Sequence, residues 1–161
     1  MNTDLPNKSK LIKHLVDYYI SLGDISEGCK KSTFISKEIK DSYLEKFSMK
    51  SIREHEQHLT SFALEVLNDR FANDLVIHGP DDPLQRSGVI SFSYRDVHPH
   101  DLSQVLDQYG VCVRAGHHCC KPLMKLLGLA ATTRASLYIY NDESDIEVLA
   151  DAINEAGKIF N

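Results

Sequence analysis

Apolar residues fall at helical spacing in "KLIKHLVDYYISLGD", at Leu11, Ile12, Leu15, Val16, Tyr19 and Ile20, which predicts a helix stopping near Gly23. The following "ISEGCKKSTFISKEIKDSYLEKFSM" is charged and weakly patterned, with a second helix expected near Ser36 to Phe47. From residue 50 the pattern sharpens. "SIREHEQHLTSFALEVLNDR" puts Ile52, Leu59, Phe62, Ala63, Val66 and Leu67 on one helical face. "LVIHG" and "GVISFSY" read as short strands on either side of the turn-forming "PDDP". In "HPHDLSQVLDQYG", Pro99 suits a first helical turn, Leu102, Val105, Leu106 and Tyr109 share a face, and Gly110 is a stop signal.

A third strand is expected at "VCVRA" and a short helix at "LMKLL", bracketed by Pro122 and Gly128. "TRASLYIY" predicts a fourth strand. "SDIEVLADAINEAGKIF" predicts a last helix, with Ser144 and Glu147 as a capping-box pair and Ile146, Leu149, Ala150, Ile153 and Phe160 along one face. The order α-β-β-α-β-α-β-α, in too few residues for a large parallel sheet, favours an α/β two-layer sandwich. Residues 1–48 read as a helical N-terminal extension and residues 49–161 as the domain proper.

Composition narrows the function classes. A chain of 161 residues, 42% hydrophobic and 25% charged, suffices for one ordinary core. A formal charge of −5 argues against a nucleic-acid partner, because phosphate binding wants a basic excess. No apolar run approaches the ~20 residues that cross a bilayer, and "MNTDLPNKSK" lacks the apolar core of a signal peptide, so no membrane partner and a cytoplasmic location are expected. Four cysteines, two of them adjacent, make no disulfide framework.

The chemistry concentrates in "RAGHHCCKPLM", where Arg114, His117, His118 and Lys121 surround Cys119 and Cys120. A thiolate, not a thiol, is the nucleophile, and neighbouring cations favour it. A zinc site competes, since His and Cys are its ligands, but adjacent cysteines do not offer the C-x₂-C spacing that lets two thiolates close on one ion. The third reading makes Cys112 and Cys120 small core residues and the histidines ordinary polar ones. For Cys112 and Cys29 that packed reading is the expectation.

These residues carry a resemblance. "RAGHHCCKPLM" is similar to the R-x-G-H-H-C-x-x-P-L segment of group II, SUF-type cysteine desulfurases, which are class V pyridoxal-phosphate enzymes. "REHEQHLTSFALEVL", "HGP", "GVISFSY", "VHPHDLSQVLDQYGVCVRAGHHC" and "TRASLYIYNDESDIEVLADAI" follow in that family's order, over about residues 50 to 161. The resemblance implies the small C-terminal domain of a fold-type I enzyme. It makes Cys119 the nucleophile that carries the persulfide as L-cysteine becomes L-alanine. It makes Arg134 the holder of the substrate α-carboxylate, a task suited to a planar guanidinium. Arg114 becomes a second arginine near substrate, with His117 and His118 supporting.

The resemblance also implies pyridoxal phosphate, yet the S-x-H-K-type context that would supply its Schiff-base lysine is not found. The chain alone is therefore expected to bind no cofactor and to be inactive. The implied partners are a large-domain polypeptide or desulfurase dimer partner, and a sulfur-acceptor scaffold protein of iron–sulfur cluster assembly. The alternatives are a stand-alone sulfur-relay or binding module, or a decayed gene product.

Overall fold

The computed structural model describes residues 48–160. The helices expected near residues 11–23 and 36–47, and Cys29, lie outside the described residues. The chain divides into two compact units after His55. In the first, Ser48 begins helix α1 (Met49–Phe71) by accepting the Ser51 amide on its Oγ at 3.0 Å, and Lys50 pairs with Glu54 at 3.8 Å.

The second unit holds the rest of α1, strand β1 (Leu75–His78), strand β2 (Val89–Tyr94), helix α2 (Pro99–Gln108), strand β3 (Arg114–Gly116), helix α3 (Lys121–Leu127), strand β4 (Thr132–Ser136) and helix α4 (Glu143–Ile159). Single 3₁₀ turns at Ala72–Asp74 and Pro83–Gln85 flank β1 and its loop. The four strands form one antiparallel sheet in the order β1-β2-β4-β3. Because β4 lies between β2 and β3, those two run parallel, and α2 is the crossover joining them. Helical connections thus interleave with a sheet that is antiparallel at every pairing.

One sheet face makes the core. Leu75 on β1, Ile90, Phe92 and Tyr94 on β2 and Ala135 on β4 pack with Leu59, Ala63 and Leu67 of α1, Leu102 and Leu106 of α2, and Ile146, Leu149 and Ile153 of α4. This is the two-layer arrangement that the periodicities require: each strand offers alternate residues and each helix one stripe. Residues of the opposite parity face the other way, and apart from the exposed Val76 and Val89 they are mostly polar, among them His78, Ser91, Ser93 and Arg134.

Several boundaries differ from the sequence reading, each for a local reason. Gly110, at φ 76°, ends α2 by donating to Asp107 O while Val111 donates to Leu106 O, both at 3.0 Å. This is the paired closure of a left-handed helix terminus. With Val111 engaged there, the extended "VCV" run joins the sheet only at Arg114, so β3 is three residues and not the longer strand expected. Tyr109 falls past the helix end and is 46% exposed. At β4, Asn141 accepts the Tyr138 amide on its Oδ1 at 2.9 Å and donates its own amide to Tyr138 O, turning the chain and ending the strand at Ser136. The capping box of α4 is Asp142 with Asp145, two residues ahead of the expected Ser144–Glu147 pair, and Phe160 is a half-exposed residue beyond the helix.

The β1–β2 loop is pinned by a buried arginine. Arg86 donates to His78 O at 2.8 Å and to Pro80 O, so the guanidinium stands in for missing ladder partners. Burial pulls its pKa down from the usual value and Asp81 partly offsets this.

Candidate functional site

The register places a polar row across the open face of the sheet. His78 lies opposite Ser91, Ser91 opposite Arg134, and Arg134 opposite Arg114. Two arginines directly across from each other on one face repel, and such pairs cost stability unless an anion joins them. Arg134 is half-buried, and its Nε is buried with no hydrogen-bond partner. Arg114, on the edge strand, is exposed.

From β3 the chain passes through Gly116, at φ 131°, into a tight turn. Cys120 N donates to His117 O at 2.8 Å, and both central residues, His118 at φ 53° and Cys119 at φ 59°, are left-handed. Left-handed backbone costs a residue bearing a Cβ about 1–2 kcal/mol. Such strain persists only where surrounding contacts over-determine it, and here His118 supplies them. Its Nε2 lies 2.9 Å from Thr132 Oγ1 and 3.2 Å from Thr132 O. A carbonyl only accepts, so Nε2 donates and the neutral ring leaves Nδ1 as a bare acceptor, which is buried without a partner. Burial, followed by the charge of Arg134, holds the His118 pKa below its ordinary value and thus keeps the ring neutral near pH 7.

The turn lifts Cys119 into solvent, with Arg114 Nη2 donating toward its Sγ at 3.7 Å. Such a bond strengthens when the sulfur carries negative charge. Arg114, His118, Cys119 and Arg134 are therefore gathered through β3, the turn and β4. His117 is exposed and turns to the α3 side, where with Pro122, Met124 and Leu129 it lines an open, mostly apolar depression rimmed by Lys121 and Lys125. Neither arginine lines that depression.

Cys112 is not where the sequence reading put it, and for Cys120 the packed alternative does not hold. Cys112 and Cys120 are both exposed, not packed as small core residues. Cys112 alternates with half-buried Val111 and Val113, so core contact goes to its neighbours. Cys120 stands ahead of α3 at φ −126° and ψ 54° and makes no side-chain cap. Thr132, the anchor of His118, and Ser91, beside Arg134, were not singled out from the sequence. Alternation in "TTRAS" places Thr132 on the same face as Arg134, a signal that becomes useful once the strand is assigned.

The described residues suit an anion and a thiol rather than a metal or a whole cofactor. Among them no three His, Cys, Asp or Glu side chains are arranged to hold a metal ion. Pyridoxal phosphate needs a lysine, an acid for the ring nitrogen and a phosphate cradle. Of the described lysines, Lys50 pairs with Glu54, Lys158 with Glu155, and Lys121 and Lys125 are exposed on the α3 side. The described residues by themselves do not fit that group. No helix among them is long and apolar enough to cross a membrane.

Comparison with known proteins gives a consistent result. The aminotransferase class-V family matches residues 35–149, beginning upstream of "REHEQHLTSFALEVL". A probable cysteine desulfurase of Staphylococcus epidermidis is 42% identical over 118 residues, and one of Staphylococcus aureus 44% identical over 118 residues. In each case the match covers 73% of this chain and 28% of the relative, so the chain spans about that share of the relatives' length. Among solved structures, the apo cysteine desulfurase of Thermococcus onnurineus superimposes with TM-score 0.68 at 33% identity, covering 73% of this chain and 28% of that one. The cysteine desulfurase CsdA of Escherichia coli, in an S-sulfonic acid form, gives TM-score 0.62 at 26% identity over the same shares.

Proposed function

The chain belongs to the class-V aminotransferase family, and on that premise we propose that it is the thiol-bearing part of a cysteine desulfurase, with Cys119 as the acceptor of sulfur from L-cysteine. The observation that carries the reading is the left-handed turn that holds Cys119 in solvent with the Arg114 guanidinium 3.7 Å from its sulfur. A persulfide forms as the Cys119 thiolate attacks the substrate sulfur and the substrate's Cβ–S bond breaks; the electron pair goes to the carbon skeleton, which takes up a proton and leaves as L-alanine.

Arg134 holds the α-carboxylate. Its buried, unpartnered Nε and the like charge of Arg114 opposite it both favour an incoming anion. His118 acts through the turn rather than on the substrate: its bonds to Thr132 keep the left-handed backbone in place. His117 borders the α3 depression and supports the other side of the turn.

The carbon–sulfur cleavage belongs to pyridoxal phosphate, the family's cofactor, which the described residues do not fit by themselves. A large-domain polypeptide or a desulfurase dimer partner supplies that half, and the chain alone is inactive. The persulfide sulfur then passes to a scaffold protein of iron–sulfur cluster assembly in the cytoplasm, in keeping with the SUF-type motif around Cys119.

Two measurements test this. Purified chain incubated with pyridoxal phosphate and gel-filtered should show no stable visible band; a band fixed by borohydride to one lysine would refute the division of labour. Mixed with the separately expressed large domain of a class-V cysteine desulfurase, the cofactor and L-cysteine, the chain should produce L-alanine. Production undiminished by Cys119→Ala would refute the nucleophile.

A further inference from the structure

We infer that Cys120 is a second sulfur carrier, taking the persulfide's outer sulfur from Cys119 and presenting it on the α3 side of the turn. This rests on the reading of Cys119 as the persulfide thiol. Three observations motivate it. The two thiols are consecutive and both exposed. Cys119 is held in the left-handed turn with Arg114 against its sulfur, on the arginine side of the site. Cys120 is the last residue of that turn, at φ −126° and ψ 54°, stands as the residue before α3 and makes no side-chain cap, so its thiol has no structural task there.

Geometry separates this role from a disulfide switch. Neighbouring Cα atoms are about 3.8 Å apart across a trans peptide. Disulfides usually join Cα atoms about 4.4–6.8 Å apart, so a Cys119–Cys120 bond closes a strained ring. Sulfur transfer requires no such bond. The attacking Cys120 sulfur, the outer sulfur and the Cys119 sulfur lie in line, which leaves the two cysteine sulfurs roughly two S–S lengths, ~4 Å, apart. Both sulfurs are exposed and free to rotate about χ1, which is the motion that brings neighbouring side chains together.

The step balances without an oxidant. The Cys120 thiolate attacks the outer sulfur of the Cys119 persulfide, and a Cys120 S–S bond forms as the Cys119 S–S bond breaks. The electron pair stays on the Cys119 sulfur, which leaves as a thiolate facing the Arg114 donor. The proton released by Cys120 goes to solvent and returns when Cys119 is reprotonated. One thiol is consumed and one regenerated, so the sulfur keeps its oxidation level.

The test loads the full chain with less than one equivalent of sulfur from glutathione persulfide, quenches with alkylating reagent over time, and locates the extra sulfur by fragmentation between residues 119 and 120. Both positions are exposed, and serine at either should leave the fold intact, which a thermal melt checks. In the unmodified chain the label should appear first on Cys119 and then on Cys120 with their sum constant. In Cys120→Ser it should stay on Cys119. In Cys119→Ser the loading rate of Cys120 should fall at least about tenfold, because the intramolecular donor is gone. Cys120 never labelled while Cys119 loads, or Cys120 loading at an unchanged rate in Cys119→Ser, overturns the relay and leaves the Cys119 reading standing. Failure of Cys119 to load in both the unmodified chain and Cys120→Ser overturns the reading of Cys119 itself.

Discussion

Replacing Arg134 with methionine should stabilise the chain, although it removes a proposed substrate-binding residue. Two unfavourable terms disappear. The first is repulsion from Arg114, its direct cross-strand partner. Like charges so placed cost about 0.2–1 kcal/mol, and with Arg114 exposed the lower half of that range applies. The second is the buried Nε without a hydrogen-bond partner. An unsatisfied buried donor costs about 1–3 kcal/mol. Methionine keeps most of the apolar stem, so little packing is lost.

The expected gain is roughly 1–3 kcal/mol, with about 2–4 °C in Tm for each kcal/mol in a chain of this length. Urea unfolding followed by circular dichroism at low salt and at high salt separates the terms. The charge part should fade as the Debye length shrinks to ~3 Å near 1 M salt, and the buried-donor part should remain. Arg86→Met is the control. That arginine is also buried, but it donates to His78 O and Pro80 O, and its loss should destabilise by about 2–4 kcal/mol. If Arg134→Met proves less stable than the unmodified chain at both salts, Arg134 is a structural arginine like Arg86, and the argument that it is held for an incoming carboxylate fails.

Three further outcomes are expected. At Cys119 the left-handed φ favours glycine, so Cys119→Gly should be roughly 0.5–1 kcal/mol more stable than Cys119→Ala; equal or lower Tm would mean that the turn is unstrained. His118 and His78 are both held below the ordinary histidine pKa chiefly by burial, so below about pH 6.5 the unfolded state binds protons that the folded state refuses. Stability is full above that pH, falls as pH drops toward the folded pKa values and then levels off; His118→Gln should give a shallower fall, and an identical pH profile would detach His118 from the effect. A Cβ at Gly88 would sit 2.5 Å from the Leu137 carbonyl oxygen, a backbone atom, so Gly88→Ala should cost about 1–3 kcal/mol by thermal melt, and a neutral result would show that β2 and the end of β4 shift apart freely.

Local pattern made much of the architecture readable. Three-to-four-residue periodicity placed α1, α2 and α4, the glycines at 110 and 128 ended their helices in left-handed backbone as stop signals do, and short β-rich runs on either side of "PDDP" marked β1 and β2. These features depend on neighbours within a turn or two, so they are written in short stretches of chain. The motif around Cys119 likewise set the family and the proposed nucleophile.

What depends on competition for the same backbone groups, or on distant partners, was not readable. Strand ends moved because Val111 closes a helix and Asn141 closes a turn, competing with the ladder for the same backbone groups. Cys112 and Cys120 carry the composition of core residues, yet the alternation of "VCV" and the start of α3 leave both in solvent. Above all, the opposition of Arg114 and Arg134 follows from a register between residues twenty positions apart, and the left-handed turn at His118 and Cys119 is held by Thr132 on another strand. Sequence by itself determined which residues are chemically able to act; only the sheet, by pairing β3 with β4, decided that two like charges and an exposed thiol meet, because that meeting is a property of register and not of any local segment.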